Sequence, residues 1–188
     1  LTLPGSELGK EELILGAQRA MAKDPSLKVL FFGKDSGSEE EARIEMEGSL
    51  AKGEIDGVLT FHYPFPVGTA TVGVMEYPGR GGRFLLATTT GVSSSERSSA
   101  LLLNAVKGIA AAKALGINNP SVGFLNLEGA QKARKSLADM IKKGYSCRLA
   151  ASVRGEELLR GNDLLAGDAD VIVCDTLTGN VIIKLLGA

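Results

Sequence analysis

Short apolar runs alternate with longer amphipathic stretches along this chain. Six of the runs predict buried strands, at residues 27–33, 55–61, 83–91, 121–126, 146–152 and 171–175. Their side chains are apolar in succession rather than in alternation, which is typical of parallel strands covered on both faces. A seventh segment, residues 69–77, fits a strand and a short helix equally well.

The amphipathic stretches predict the helices. Residues 11–23 repeat apolar side chains at helical spacing, and Ser38 precedes three glutamates that suit the positive end of a helix dipole. A long helix is expected from Ser95 to Gly116, and another over residues 129–143. Strands that alternate with crossover helices predict an α/β fold, a three-layer α/β/α sandwich with a mostly parallel sheet.

We expect a single domain over residues 1–188. The sequence begins with leucine rather than methionine and stops soon after its last apolar run. We therefore also expect it to be a fragment of a longer chain, with further site residues beyond its ends.

Composition argues against several kinds of function. Apolar residues make up 44% of the 188 residues and charged residues 23%, a balance typical of a globular protein. The formal net charge of −1 provides no field that would recruit nucleic acid or an anionic membrane. The apolar runs are too short for membrane insertion. The two cysteines lack the spacing of a metal site, so no metal is expected. So few cysteines also predict a reducing, cytoplasmic setting. Neither a dinucleotide-binding glycine motif nor a Walker loop occurs, so no cofactor is expected.

Hydroxyl and amide side chains follow two of the predicted strands. Thr88, Thr89, Thr90 and Gly91 end one strand, with Ser93 just beyond it. Ligands of open parallel sheets bind outside the carboxyl ends of the strands, where such groups satisfy phosphate oxygens. The same residue types are common in loops and helix caps, so the alternative is a purely structural turn.

The second such segment follows the last predicted strand. Asp175, Thr178, Gly179 and Asn180 form a strand-to-helix turn, and the helix is expected to begin near Asn180 and to carry Lys184 in an early turn. Free N–H groups and the helix dipole would stabilise an anion there. The alternative is that Thr178 and Asn180 cap the helix and that Lys184 is a solvated lysine.

Two further side chains are candidates for catalysis. His62 is the sole histidine and follows a predicted strand, so it is either an acid or base or a structural residue. Cys174 lies inside an apolar run, where it is either a small buried side chain or an acyl-accepting nucleophile. A nucleophilic role requires access to the strand-end crevice and a lowered thiol pKa.

Taken together, these segments resemble a known superfamily. The string "ADVIVCDTLTGNVIIK", with Asp175, Gly179, Asn180 and Lys184, is similar to the signature of phosphate acyltransferases and phosphotransacetylases. The strings "HYPFPVGTATVG", "ATTTG", "RGNDLLAG" and "DTLTGN" resemble the alpha subunits of protein C of the glycine, sarcosine and betaine reductase complexes. The fold of this superfamily resembles that of isocitrate and isopropylmalate dehydrogenases.

The resemblance implies acyl transfer to phosphate. A protein of this kind would transfer an acetyl group from an enzyme-bound thioester to inorganic phosphate, giving acetyl phosphate. Its partners would be a beta subunit and the other reductase components, in a homo- or hetero-oligomer. Two alternatives stay open: a PlsX-type acyltransferase that uses an acyl carrier protein, and a non-catalytic subunit that binds an acyl phosphate or a CoA-like ligand.

The resemblance also implies roles for individual residues. The phosphate-binding residues would be Thr178, Gly179, Asn180 and Lys184, with Thr88, Thr89, Thr90, Gly91 and Ser93 as the opposing wall. Asp175 would orient the turn, His62 would act as an acid, a base or an orienting group, and Cys174 is the candidate nucleophile. The acidic and glycine-rich element that begins PlsX-type enzymes has no equivalent in this sequence.

Overall fold

The computed structural model describes residues 1–35, 38–79 and 81–187. These residues form two compact units, Leu1–Pro64 and Phe65–Ala188, and the single domain expected over the whole chain stays a prediction. In chain order the elements are α1 (Lys10–Lys23), α2 (Glu39–Ala51), β1 (Ala70–Glu76), β2 (Arg83–Gly91), α3 (Arg97–Ala114), β3 (Ser121–Phe124), α4 (Ala130–Lys142), β4 (Arg148–Leu149), α5 (Gly161–Ala166), β5 (Val171–Val173) and α6 (Thr176–Leu186).

The second unit contains a five-stranded sheet in the order β1-β2-β5-β3-β4. The pairs β2–β5, β5–β3 and β3–β4 are parallel, whereas β1 pairs with β2 in the antiparallel direction. The sequence predicted a mostly parallel sheet, and the structure confirms it. The segment at residues 69–77, which the sequence left open, is a strand.

Both faces of this sheet are covered by helices. Leu85 and Ala87 of β2 point into a core formed with α3 and α4, whereas Phe84 and Leu86 belong to a core that includes residues of α6. This alternation explains why β2 is apolar in succession, since each face of the strand is buried. The predicted three-layer α/β/α sandwich is confirmed for this unit, and the comparison with isocitrate and isopropylmalate dehydrogenases stays a prediction.

The long helix α3 packs closely on the sheet because Gly108 faces it. A Cβ atom at this position would lie 2.5 Å from Val171 Cγ1 of β5 and 3.1 Å from the Ala87 side chain. Its neighbours on the buried face are Leu101, Ala105, Ile109 and Ala112, at helical spacing. This close contact holds the N-terminal turn of α3 beside the carboxyl ends of β2 and β5.

The first unit differs from the prediction. Residues 27–33 and 55–61 were expected to be buried strands, and this is wrong. Residues 1–3 hydrogen-bond to both segments, through Leu3 N to Phe32 O (3.0 Å) and Thr2 N to Leu59 O (3.1 Å), but the pairing stops at one isolated bridge. Leu30 and Leu59 are 50% and 62% exposed, so the two apolar runs are not covered on both faces.

The helices of the first unit follow the sequence pattern. The Ser38 hydroxyl caps α2 by accepting a hydrogen bond from Glu41 N (3.3 Å), as predicted from the serine before three glutamates. The buried cluster of this unit consists of Phe32, Ala42 and Met46. Among the described residues, the helices lack the length and apolar character that crossing a bilayer requires.

Candidate functional site

The carboxyl ends of β2 and β5 meet at one edge of the sheet. The two strands are parallel neighbours, with Leu85 opposite Val171 and Ala87 opposite Val173. The segments that follow them are therefore adjacent. Asn180 Nδ2 donates to Thr89 O at 3.4 Å, and Thr176 Oγ1 donates to Gly91 O. The two hydroxyl-rich segments that the sequence singled out are brought together as expected.

Helix α6 begins four residues earlier than predicted. Its first residue is Thr176, and Asp175 is the N-cap, whose carboxylate accepts a hydrogen bond from Thr178 N at 2.8 Å. The expected start near Asn180 is therefore wrong, because an aspartate directly after the strand is itself a strong cap. The carboxylate takes one of the N–H groups that an anion at this helix end would use.

Gly179 serves close packing. It is buried in the first turns of α6, and a Cβ atom there would lie 1.8 Å from Thr88 O and 3.0 Å from Cys174 Sγ. Glycine at this position lets the helix lie directly against the end of β2. Gly179 therefore maintains the edge on which the site is built.

The threonines of β2 bond mainly within the sheet. Thr88 is 1% exposed; its hydroxyl donates to Thr71 O (2.6 Å) and also lies 2.9 Å from Thr90 O. Thr89 is 6% exposed, and its hydroxyl lies 2.7 Å from the Thr71 hydroxyl. These bonds fasten β1 to β2, so Thr88 and Thr89 support the edge. Thr90 is exposed and Gly91 is partly exposed.

A cleft of about 320 Å³ lies beside this edge. It is lined by Val92, Ser93, Ser94, Ser95, Arg97, Ala100, Leu101, Asn104, Glu128, Asp175, Thr176 and Leu177. Of the predicted site residues, Ser93 and Asp175 line it, whereas Thr178, Gly179, Asn180 and Lys184 do not. The cleft is formed where the β2–α3 loop faces the start of α6, so it lies one loop beyond the predicted threonines.

Sequence reasoning missed the charged and amide groups of the cleft. Arg97 is the first residue of α3, and its guanidinium donates to Glu128 Oε2 at 2.7 Å. Asn104 is 3% exposed and two turns further along the same helix. An arginine two positions after a serine cluster was a signal in the string "SSSER". Asn104 had no signal, because its position in the cleft depends on how α3 packs on the sheet.

Ser93 is held by two polar side chains of α3. Its hydroxyl lies 2.5 Å from Asn104 Oδ1, and Lys107 Nζ donates to Ser93 Oγ at 2.7 Å. Asn104 Nδ2 in turn donates to the carbonyl oxygen of Cys174 at 2.9 Å. The network joins the β2–α3 loop to the end of β5, and thereby joins two walls of the cleft.

The N-terminus of α3 also carries its own carboxylate. Glu96 accepts hydrogen bonds from Ser99 N (2.6 Å) and Ser98 N (3.2 Å), and also from the Ser98 hydroxyl. Hydrogen bonds from Ser99 and Ser98 lower the pKa of the Glu96 carboxyl to about 2. Since Glu96 and Asp175 cap the two helices at the cleft, a bound anion would depend on side-chain and loop donors more than on free helix ends.

Cys174 has the surroundings of a core residue. Its side chain is 0% exposed, and its sulfhydryl donates to Thr88 O at 3.4 Å. Burial, with a smaller contribution from the charge of Asp175, raises the pKa of the thiol to about 12. Because the thiolate is the nucleophile, these conditions oppose the role expected for Cys174 in acyl transfer.

His62 and Lys184 lie outside the cleft lining. His62 belongs to the first unit, has a backbone φ of 48°, and places Nδ1 3.7 Å from Glu39 Oε2. Lys184 is exposed in the last turn of α6, not in an early turn. In the described part of the chain, histidine, cysteine and carboxylate side chains form no group of three that could hold a metal ion.

Comparison with known proteins agrees with this architecture. A family model described as "Fatty acid synthesis protein" matches residues 1–168. The chain belongs to this family. The match covers the sheet up to the segment before β5, together with the β2–α3 loop that lines the cleft.

Two relatives of this member of the fatty acid synthesis protein family show what the chain is similar to. The chain is 41% identical, over its full length, to the glycine/sarcosine/betaine reductase complex component C subunit alpha of Peptoclostridium acidaminophilum, and it spans 52% of that protein. It is 40% identical over 70 residues to the phosphate acyltransferase of Acetivibrio thermocellus, which is 37% of this chain and 20% of that protein. The resemblance predicted from the sequence is therefore confirmed.

A solved structure supports the fold of this family member. The branched-chain phosphotransacylase of Enterococcus faecalis superposes with a TM-score of 0.64 at 15% identity, covering 99% of this chain and 82% of that protein. At this identity the likeness shows the α/β fold alone.

Proposed function

We propose that this chain provides the phosphate-binding cleft of an acyltransferase that moves an acetyl group from an enzyme-bound thioester to inorganic phosphate. A phosphate oxygen attacks the thioester carbonyl carbon and the C–O bond of acetyl phosphate forms. The C–S bond breaks, and the sulfur leaves as a thiolate that takes up a proton. The name of the component C relative and the hydroxyl-rich cleft at the sheet edge support this proposal.

The observation that carries the proposal is the group of donors around the cleft. Arg97 and the hydroxyls of Ser94 and Ser95 line it, next to the partly exposed Thr176. A phosphate dianion needs fixed donors that hold it beside the carbonyl and stabilise the tetrahedral oxyanion. One donor to an oxyanion is typically worth about 3–4 kcal/mol of barrier, so several donors together would lower the barrier substantially.

Arg97 is available to such an anion. Its partner Glu128 is exposed, with 70% and 77% of the two side chains accessible, and exposed ion pairs contribute about 1 kcal/mol or less. A dianion in the cleft competes readily with a single solvated carboxylate. Arg97 also offers a planar pair of N–H groups that matches two phosphate oxygens.

We propose supporting roles for several predicted site residues. Asp175 caps α6 and shapes one wall of the cleft. Gly179 and Asn180 hold α6 against β2, and Thr88 and Thr89 hold β2 against β1. Cys174 fills the core, so phosphate would attack the thioester without an acyl-cysteine intermediate at this residue.

The test is acetyl phosphate formation by the full-length protein with its partner subunit. Arg97→Met is expected to lower kcat/KM for phosphate by about a hundredfold, because charge-assisted hydrogen bonds to the phosphate dianion are lost. Arg148→Met is the matched control, since Arg148 pairs with Asp170 at 3.5 Å and does not line the cleft. Unchanged kinetics in the Arg97 variant would contradict the proposal.

A second candidate is acyl transfer to phosphate from an acyl carrier protein. The phosphate acyltransferase of Thermosipho africanus, 32% identical over 108 residues, and the family description favour it. The two candidates share the phosphate acceptor and differ in the acyl donor. Activity that rises with acyl-chain length in a donor series would favour the carrier-protein reaction, whereas preference for acetyl would favour the first candidate.

We also propose partners and a cellular location. The relative's name, component C subunit alpha, supports assembly with a beta subunit and other reductase components in an oligomer. Cys147 and Cys174 are both free and buried, which suits a reducing cytoplasm. Co-purification with the products of neighbouring genes would test the assembly.

A further inference from the structure

Lys107 contacts Ser93, a residue of the cleft lining. It is in the middle of α3, partly buried, and its ammonium donates to Gly68 O at 2.6 Å and to Ser93 Oγ at 2.7 Å. Ser93 lines the cleft, so one hydroxyl group separates the ammonium from the space where a ligand would bind. Lys107 is not among the residues that the sequence or the proposed function assigns to the site.

The ammonium of Lys107 is not paired with a carboxylate in the described part of the chain. Its two hydrogen bonds go to a carbonyl and a hydroxyl, and it forms no ion pair with a carboxylate there. Partial burial of the ammonium lowers the pKa of Lys107. A partly desolvated cation is costly unless an anion approaches it, and the cleft is the adjacent space.

The hydrogen bonds of Ser93 determine how the charge of Lys107 affects the cleft. Asn104 Oδ1 is an acceptor, so the Ser93 hydroxyl donates its one hydrogen to Asn104 while its oxygen accepts from Lys107. Donation from an ammonium to a hydroxyl oxygen polarises the O–H group and makes it a stronger donor. Asn104 also lines the cleft, so an anion there competes with its Oδ1 for the same hydrogen.

We infer that Lys107 is a positioning residue that polarises the Ser93 hydroxyl toward a phosphate oxygen in the cleft. This inference rests on the proposed function, because it assumes that phosphate binds there. Lys107 contributes affinity for the anion through Ser93 and does not touch the ligand. The Asn104 amide remains bonded to Cys174 O and keeps the loop in place.

The experiment is a calorimetric titration of the full-length protein with inorganic phosphate, which measures the phosphate Kd. Lys107→Met is expected to raise the phosphate Kd about tenfold, as for the loss of one charge-assisted hydrogen bond. Lys107→Arg is expected to restore much of the affinity, whereas Lys107→Gln, which donates without a charge, is not. Lys113→Met is the matched control, because Lys113 is also partly buried on α3 but lies over the Tyr145 ring.

A double-mutant cycle distinguishes polarisation from simple support of the fold. With Ser93→Ala in place, Lys107→Met is expected to change the phosphate Kd less than twofold, since the relay is already broken. In turnover assays, Lys107→Met is expected to raise KM for phosphate and to leave KM for the acyl donor unchanged.

The outcomes separate the inference from the proposed function. Additive effects of the Ser93 and Lys107 variants, or rescue by Lys107→Gln equal to that by Lys107→Arg, would overturn the inference and leave the proposed function intact. The inference would also be overturned if the unsubstituted protein binds phosphate and the Lys107→Met variant binds it equally tightly. Failure of the unsubstituted protein to bind phosphate would overturn both.

Discussion

At the scale of single residues, the site depends on one close contact. The absence of a side chain at Gly179 lets α6 lie against Thr88 O, where a Cβ atom would be 1.8 Å away. Gly179→Ala is therefore expected to displace the helix and to lower the free energy of unfolding by about 1–3 kcal/mol, the usual cost of overpacking. Urea denaturation measures this change.

A second glycine provides the control for this prediction. Gly161, the first residue of α5, has open space where a Cβ atom would be placed. Gly161→Ala is expected to change the unfolding free energy by less than about 0.5 kcal/mol. Equal stability of the two variants would show that the Gly179 contact does not hold α6 in place.

Cys174 leads to a prediction about reactivity. Because burial raises its pKa to about 12, the native protein is expected to resist iodoacetamide near neutral pH, and the denatured protein is expected to react. Mass spectrometry of a peptide containing residues 171–175 measures the labelling. Rapid labelling of Cys174 in the native protein, or an acetyl adduct on it, would restore the nucleophile that the sequence suggested.

At the scale of elements, the capping of α3 depends on pH. The folded-state pKa of Glu96 is about 2, below its ordinary value of 4.5, so its carboxylate stabilises the fold above pH 4.5. This contribution decreases as the pH falls from about 4.5 towards 2. The difference in Tm between the unsubstituted protein and Glu96→Gln is expected to be present at neutral pH and to shrink over that interval.

The matched control for Glu96 is a carboxylate that caps no helix. Asp168 is exposed and forms none of the described hydrogen bonds, so Asp168→Asn is expected to leave Tm nearly unchanged across the same interval. A constant Tm difference for Glu96→Gln from neutral pH to pH 3 would show that the charge of Glu96 does not stabilise α3.

Elements with their own packing partners could be predicted from the sequence. The strand at residues 83–91 matches β2 residue for residue, because both faces of its apolar run are covered by helices. Residues 27–33 and 55–61 have equally apolar sequences but pair with three residues at the N-terminus, which is too short a partner for a ladder. Apolar pattern reports the tendency to be buried, whereas strand formation also requires a neighbour of matching length.

At the scale of the whole molecule, the parallel sheet predicted from the sequence indicates where the candidate cleft lies better than it indicates which residues line it. The sequence predicted that the segments after two neighbouring parallel strands would meet, and they do. It could not predict which of their hydroxyls face the cleft. Thr88 and Thr89 bond to β1, whereas Asn104 and Lys107 come from the face of α3 that the packing turns toward Ser93.

The division of the chain leads to the last prediction. Both large apolar clusters and every residue that lines the cleft belong to the unit Phe65–Ala188. This unit, expressed alone, is expected to unfold in one cooperative transition and to bind inorganic phosphate with a Kd within about twofold of that of residues 1–188.

The unit Leu1–Pro64 has a buried cluster of three residues and is expected to unfold gradually, as marginal cores of this size do. Circular dichroism during urea titration and phosphate calorimetry measure the two properties. Loss of phosphate binding by a folded second unit would mean that residues 1–64 contribute to the site.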